Sequence, residues 1–175
     1  MEKLHIGKIA PEHIDELQKI SRQTFYQAFS DKNTEEDMQK YLNKSFSKEQ
    51  LLNELHNEAS AFYFAKLDNR VIGYLKLNWG TSQTEAQDDA ALEIERIYVL
   101  DEFLGQKVGQ LLYEKAREKA KETHVDYIWL GVWEENARAI AFYKKNGFVP
   151  FDKHLFMLGN DEQTDIMMKL QIKTP

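Results

Sequence analysis

The sequence predicts a mixed α/β domain, and three observations point there. Apolar periodicity switches repeatedly between the two-residue repeat of strands and the three-to-four-residue repeat of helices. Tyr127–Val132 is a nearly continuous apolar run of the kind a central, doubly covered strand shows. With 42% apolar and 30% charged residues over 175 positions, the chain is folded and long enough to bury a core. Only 8 Gly and 3 Pro occur, and no Gly/Ser/Pro-rich linker or internal repeat interrupts the sequence, so residues 1–175 read as one domain.

The elements follow in order. Leu4, Ile6 and Ile9 suggest a short first strand, ended by Ala10-Pro11. From Glu12 the period becomes helical through Ile14, Leu17, Ile20, Phe25 and Phe29. Asn33-Thr34-Glu35-Glu36 is a capped helix start with acids in its first turn, and Ser47-Lys48-Glu49-Gln50 is a capping box opening the next helix. Ala61–Leu67 and Val71–Leu77 are rich in β-formers, with Asp68-Asn69 as a hairpin turn between them. Gly80–Asp89 is a polar loop and Leu92–Val99 a strand. Val108–Thr123 is helical, with Val108, Leu111, Leu112, Ala116 and Ala120 on one stripe. After the Tyr127–Val132 strand, Asn136 caps a helix that runs to Asn146 and stops at Gly147. Strands near Phe148–Leu158 and Asp165–Ile172 close the chain.

Charge and composition exclude several functions. Lys and Arg total 23 against 29 Asp and Glu, a net charge of −6, which suits a cationic or small neutral partner and not nucleic acid. Without cysteine there is no disulfide framework, thiolate-bound zinc, thiol nucleophile or iron–sulfur cluster. His5, His13, His56, His124 and His154 are scattered without ligand-like spacing, so no metal is expected. Apolar stretches such as Ala61–Ala65 are far too short to span a bilayer, and Met1–His5 is followed by no apolar run, so no membrane association and a cytoplasmic location are expected.

Three features carry chemistry. In the Leu92–Val99 strand, apolar residues alternate at Leu92 and Ile94, then resume out of phase at Ile97 and Val99. Either a β-bulge near Glu95-Arg96 absorbs one residue, or the strand is buried on both faces. A bulge would splay the strand and free backbone groups for an extended, amide-bearing ligand. Next, Leu104-Gly105-Gln106-Lys107-Val108-Gly109-Gln110 leads from a strand into a helix N-terminus, where free N–H groups and the helix dipole form an anion site. Third, Asn136, Ala139, Phe142, Tyr143, Gly147 and Phe148 stand in fixed order after the central strand.

That last set resembles a hallmark of the Gcn5-related N-acetyltransferase (GNAT) superfamily. The superfamily's other hallmark, Arg or Gln, two residues, Gly, one residue, then Gly or Ala, is matched less well. Register with the preceding strand puts Leu104 at the Arg/Gln position and Lys107 at the first Gly, keeping Gly109; a shifted register would use Gln106 and Gly109 with Leu111 at the last small position. The helical stripe beginning at Val108 favours the first. Leu92–Val99, Trp129–Glu134 and Gly159–Asp165 look more narrowly like PaiA-type spermidine/spermine acetyltransferases.

The resemblance implies the GNAT fold, a single mixed sheet of about six to seven strands flanked by helices with a bulged, splayed central strand. It also implies acetyl-CoA as donor and a polyamine as acceptor; a homodimer is an open expectation. Backbone groups of Ile97, Tyr98 and Val99 would bind the pantetheine, the Leu104–Gln110 turn the pyrophosphate, and Asn136 the cofactor. Tyr143 would be the general acid for the leaving thiolate. Glu93 and Glu95, on one strand face just before the proposed bulge, are the candidates for removing the acceptor's proton. Glu85, Asp88, Asp89, Glu134 and Glu135 add acidity near the approach to this strand. The alternatives are an acetyltransferase for a protein N-terminus or another amine, or a CoA-binding regulatory protein with little turnover.

Overall fold

The computed structural model describes residues 3–85 and 88–172, so residues 86–87 of the expected polar loop lie outside the described residues. In chain order it contains β1 (Leu4–Lys8), α1 (Ile14–Phe29), α2 (Glu35–Ser45), α3 (Lys48–Leu55), β2 (Ser60–Leu67), β3 (Arg70–Trp79), β4 (Ala91–Val99), α4 (Val108–Glu122), β5 (Tyr127–Trp133), α5 (Ala137–Lys145), β6 (Val149–Leu158) and β7 (Asp161–Gln171). The seven strands form one sheet in the order β1-β2-β3-β4-β5-β7-β6. All neighbours are antiparallel except β4 and β5, which α4 connects in parallel.

Local chemistry sets the boundaries. Thr34 and Ser47 cap α2 and α3 by accepting from the N–H groups of Asp37 and Gln50, each at 3.1 Å. The Asp68-Asn69 turn joins Leu67 directly opposite Arg70, with Asp68 at φ +52°. β7 begins at Asp161 rather than Asp165, because Gly159-Asn160 closes a tight hairpin that pairs Leu158 with Asp161.

The sheet is covered on both faces. One face packs on α4 and α5 through Leu75, Leu77, Leu92, Ile94, Leu112, Tyr113, Ala116, Ile128 and Leu130. The other packs on α1–α3 through Leu17, Phe25, Met38, Phe46, Leu51, Phe62, Phe64 and Tyr74. On α4 the expected stripe is corrected at one position. Leu111 is 38% exposed and Tyr113 is buried instead, since each i+4 step along Val108, Leu112, Ala116 and Ala120 turns the stripe by about 40° toward the side of Tyr113 and away from Leu111. Along β6, at the sheet edge, Val149, Leu155 and Met157 are exposed. Among the described residues no helix is long and apolar enough to cross a membrane.

The β6–β7 turn is fastened to α2. The Asn160 N–H donates to Asp37 Oδ1 at 3.0 Å, and Gly159 sits at φ +61° where a Cβ would lie 2.8 Å from the Asp37 Cα. Gly159→Ala therefore combines a left-handed penalty of about 1–2 kcal/mol with a backbone clash. Denaturant unfolding should show a loss at least that large; unchanged stability would mean the turn is not docked on α2.

Candidate active site

The bulge is present, and it resolves the phase problem in β4. Arg96 pairs with Lys76 and Ile94 with Leu77, which leaves Glu95 as the extra residue. Leu92, Ile94, Ile97 and Val99 consequently all pack toward α4, while Tyr98 packs on the α1–α3 side. β4 pairs with β5 only over Ala91–Glu93 and Tyr127–Trp129. Beyond Glu93 the two strands separate, and the β5-facing backbone edge of Ile94–Val99 borders a cleft of about 1110 Å³.

On the α4–α5 side the cleft meets an uncapped helix. α2, α3 and α5 each have a side-chain cap, but α4, like α1, has none. Its N-cap residue, Lys107, is left-handed at φ +68°, two residues after Gly105 at φ +79°. The left-handed Lys107 occupies a position glycine would take without strain, in keeping with the register that aligns Lys107 with the first Gly of the pattern. Leu104, Gly105, Lys107, Gly109 and Gln110 line the cleft. Gln106 and Val108 do not: the Gln106 side chain donates back to the Glu102 carbonyl at 3.1 Å, and Val108 is buried in the core. Cations Lys107, Arg138 and Lys145 stand on this side, against acids Asp101 and Glu114. Asn136 caps α5 by accepting from the Ala139 N–H at 3.2 Å and also lines the cleft. Gln110 donates to Asn146 Oδ1 at 3.1 Å, tying the start of α4 to the end of α5.

Tyr143 reaches the cleft from α5 with its ring packed edge-on against Phe142 and Phe148 at 5.5 and 5.7 Å. Burial pushes its phenol well above the ordinary range, so it stays protonated and able to donate.

On the α1–α3 side the two candidate carboxylates have different surroundings. Glu93 is 3% exposed, accepts from Asn78 Nδ2 at 2.9 Å and the Thr84 N–H at 2.8 Å, and also from the Thr84 hydroxyl. Among the described residues it forms no ion pair. Burial raises its pKa, with Glu95 adding to the rise and the Asn78 and Thr84 hydrogen bonds opposing it. Glu95 is partly buried, and the cost of that desolvation is outweighed by Arg96 and Lys76, which hold its carboxyl below the usual range. It pairs with Lys76 and, at 3.5 Å, with Arg96; both cations also reach Glu54 of α3, at 2.5 and 2.8 Å.

Further acidity comes from residues that the sequence pattern alone does not mark as part of a site. Asp165 and His154, opposite each other on β7 and β6, border the cleft beside Gly131, with His154 Nε2 3.6 Å from Asp165 and Nδ1 3.5 Å from Glu85. Burial raises the Asp165 pKa, and His154 opposes that rise. Of the acids near the strand approach, Glu85 lines the cleft. Asp88 turns to the Ala90 N–H at 3.0 Å, and Glu134 and Glu135 stay exposed outside the cleft. Among the described residues no cluster of His, Asp and Glu could hold a metal.

An anion-ready helix start, a free strand edge, a tyrosine and a buried carboxylate make one cleft with two differently charged sides. Residues 14–148 match the sequence pattern of the Acetyltransferase (GNAT) family. The chain belongs to this family. It is similar to an N-acetyltransferase in the pepI 3′ region of Lactobacillus delbrueckii subsp. lactis, 41% identical over 97% of this chain and 98% of that one. A spermidine N(1)-acetyltransferase of Thermoplasma acidophilum is 26% identical over 83% of this chain and 88% of that one. The crystal structure of a PaiA N-acetyltransferase from T. acidophilum in complex with coenzyme A superposes with a TM-score of 0.79 at 25% identity, covering 97% and 99% of the two chains. The mixed seven-stranded sheet is the GNAT fold, and the chain is an N-acetyltransferase that uses acetyl-CoA.

The residues present fit that co-substrate. An uncapped helix N-terminus beside three cations suits a pyrophosphate, and an unpaired strand edge suits the amides of a pantetheine arm.

Proposed function

We propose that this GNAT enzyme moves the acetyl group of acetyl-CoA to a primary amine of a small cationic acceptor, best matched by spermidine or spermine, by direct attack in a ternary complex in the cytoplasm. The observation that carries this reading is Glu93, a buried carboxylate at the cleft with no ion pair among the described residues, in a cleft that Glu85 and Asp165 also line. An ammonium group is drawn to that side and loses its proton to Glu93, directly or through a water. Acetyl-CoA supplies the activated acetyl group. Backbone groups of Ile97, Tyr98 and Val99 and of the Leu104–Gln110 turn hold it, with Asn136 at the same wall. Tyr143 gives its proton to the departing thiolate. Glu95 does something different. Paired with Lys76 and Arg96, it fixes the bulge. The cleft exceeds the roughly 300–1,000 Å³ usual for one small ligand, which leaves space for both substrates. The likeness to a spermidine N(1)-acetyltransferase supports a polyamine acceptor.

Release of free CoA from acetyl-CoA, measured with spermidine, spermine, putrescine, lysine, an aminoglycoside and several peptides, tests the proposal. Turnover with spermidine or spermine well above the other amines is expected. Preferential turnover with peptides would overturn the polyamine assignment in favour of an N-terminal acceptor.

A further inference from the structure

We propose that Asn78 is a positioning residue for proton transfer: its buried amide clamps Glu93 and Glu95 on one nitrogen and fixes Glu93 at the cleft wall, while Lys76, Arg96 and Glu54 anchor Glu95. This rests on the reading of Glu93 as proton acceptor.

The geometry begins with strand register. Asn78 of β3 stands opposite Ser60 of β2 and Glu93 of β4, so the three side chains share the α1–α3 face of the sheet. Asn78 is fully buried, and every hydrogen-bonding group of its side chain is used. Nδ2 donates to Glu93 Oε1 at 2.9 Å and to Glu95 Oε2 at 2.8 Å, and Oδ1 accepts from Ser60 Oγ at 2.8 Å. The amide can sit only this way round, because reversed it would turn an oxygen toward two carboxylates. Two like charges are thereby held on one donor group. Glu95 shares its charge with a cluster that sums to zero, two cations and two carboxylates. Glu93 does not, so among the described residues Asn78 and Thr84 supply the hydrogen bonds that offset the cost of ionising it there.

The other charged or titratable groups on this side of the cleft or paired with its residues are Lys76 from β3, Glu54 from α3, Glu95, Arg96 and Tyr98 from β4, Tyr41 from α2, Glu85 from the loop after β3, His154 from β6 and Asp165 from β7. None of them donates a hydrogen bond to Glu93 among the described residues. Removing the Asn78 amide takes a donor from Glu93 and also frees Glu95, whose nearby charge raises Glu93; both changes act in the same direction.

The test is a pH titration of protein carrying 13Cδ-labelled glutamate, with the Glu93 signal identified by its loss in Glu93→Gln, alongside the pH profile of kcat. In Asn78→Leu, the loss of a charge-assisted hydrogen bond should move the Glu93 midpoint up by about one to two pH units. The acid limb of kcat should shift by the same amount, and acetyl-CoA affinity should be unchanged. Ser60→Ala, which only loosens the amide, should show a smaller shift in the same direction and covers the case in which Asn78→Leu fails to fold. A Glu93 midpoint that stays in place in the folded variants would overturn the proposal, as would lost turnover with an unmoved acid limb. Full turnover in Glu93→Gln would instead remove the proton-acceptor reading, and with it any catalytic consequence of the clamp.

Discussion

Glu93→Gln should lower kcat by roughly 10²–10⁴-fold, the usual contribution of a positioned general base, with little change in acetyl-CoA affinity. The substitution is nearly isosteric in this site. The glutamine oxygen can accept from the Asn78 amide and the Thr84 N–H as Oε1 does now, and its NH2 group can donate to the Thr84 hydroxyl once that rotates. What disappears is the ability to take a proton. The pKa direction supplies a second signature. Burial raises the folded-state value above that of the unfolded chain, so the stability associated with Glu93 is fully present below the unfolded pKa. It is lost as pH rises through the folded pKa. Glutamine does not titrate, so the Tm of Glu93→Gln relative to the parent should climb over that window. An inactive variant with a parent-like pH dependence of Tm would point to a packing role. Glu95→Gln should behave in the opposite way: with Lys76 and Arg96 left short of a buried partner, it should destabilise the fold by several kcal/mol.

Tyr143→Phe should lower kcat by roughly 10²–10⁴-fold while acetyl-CoA binds as before. The ring contacts with Phe142 and Phe148 involve no hydroxyl and survive in phenylalanine. The phenol, raised by burial, stays protonated through neutral pH, so no fall in kcat from its ionisation is expected there. Equal turnover in the variant at every pH would remove Tyr143 as the proton donor. Because Glu93 and Tyr143 act on different protons, a thiol leaving group of lower pKa should rescue Tyr143→Phe but not Glu93→Gln.

Much of this site is legible in the sequence because its parts are local. The helix caps at Thr34, Ser47 and Asn136 are read from neighbouring residues, since a cap bonds an N–H only three positions away. The bulge shows as a break in the period of β4, because a slip of one residue turns every later side chain to the other face. The turn into α4 and the aromatic pair at Phe142-Tyr143 are likewise contiguous. Leu111 misled because its spacing fits an apolar stripe as well as a cleft wall.

The acidic side of the cleft is another matter. Asn78, Glu54 and Asp165 come from β3, α3 and β7, and only strand register and helix docking bring them to β4 and the cleft. For Asn78 the sequence trace is weak, polar Lys76 and Asn78 set among the apolar residues of a strand. The difference between Glu93 and Glu95 is likewise a product of tertiary structure. The two are the same residue type, two apart on one strand. One meets Lys76 and Arg96 while the other meets an amide and a hydroxyl, and a carboxylate's basicity depends on such neighbours. The order of elements, the bulge and the anion-ready helix start are written in the linear chain, because they depend on backbone geometry and short-range spacing. Which carboxylate is left basic, and what surrounds the acceptor, is settled only when the sheet closes and fixes the electrostatic neighbours of each charge.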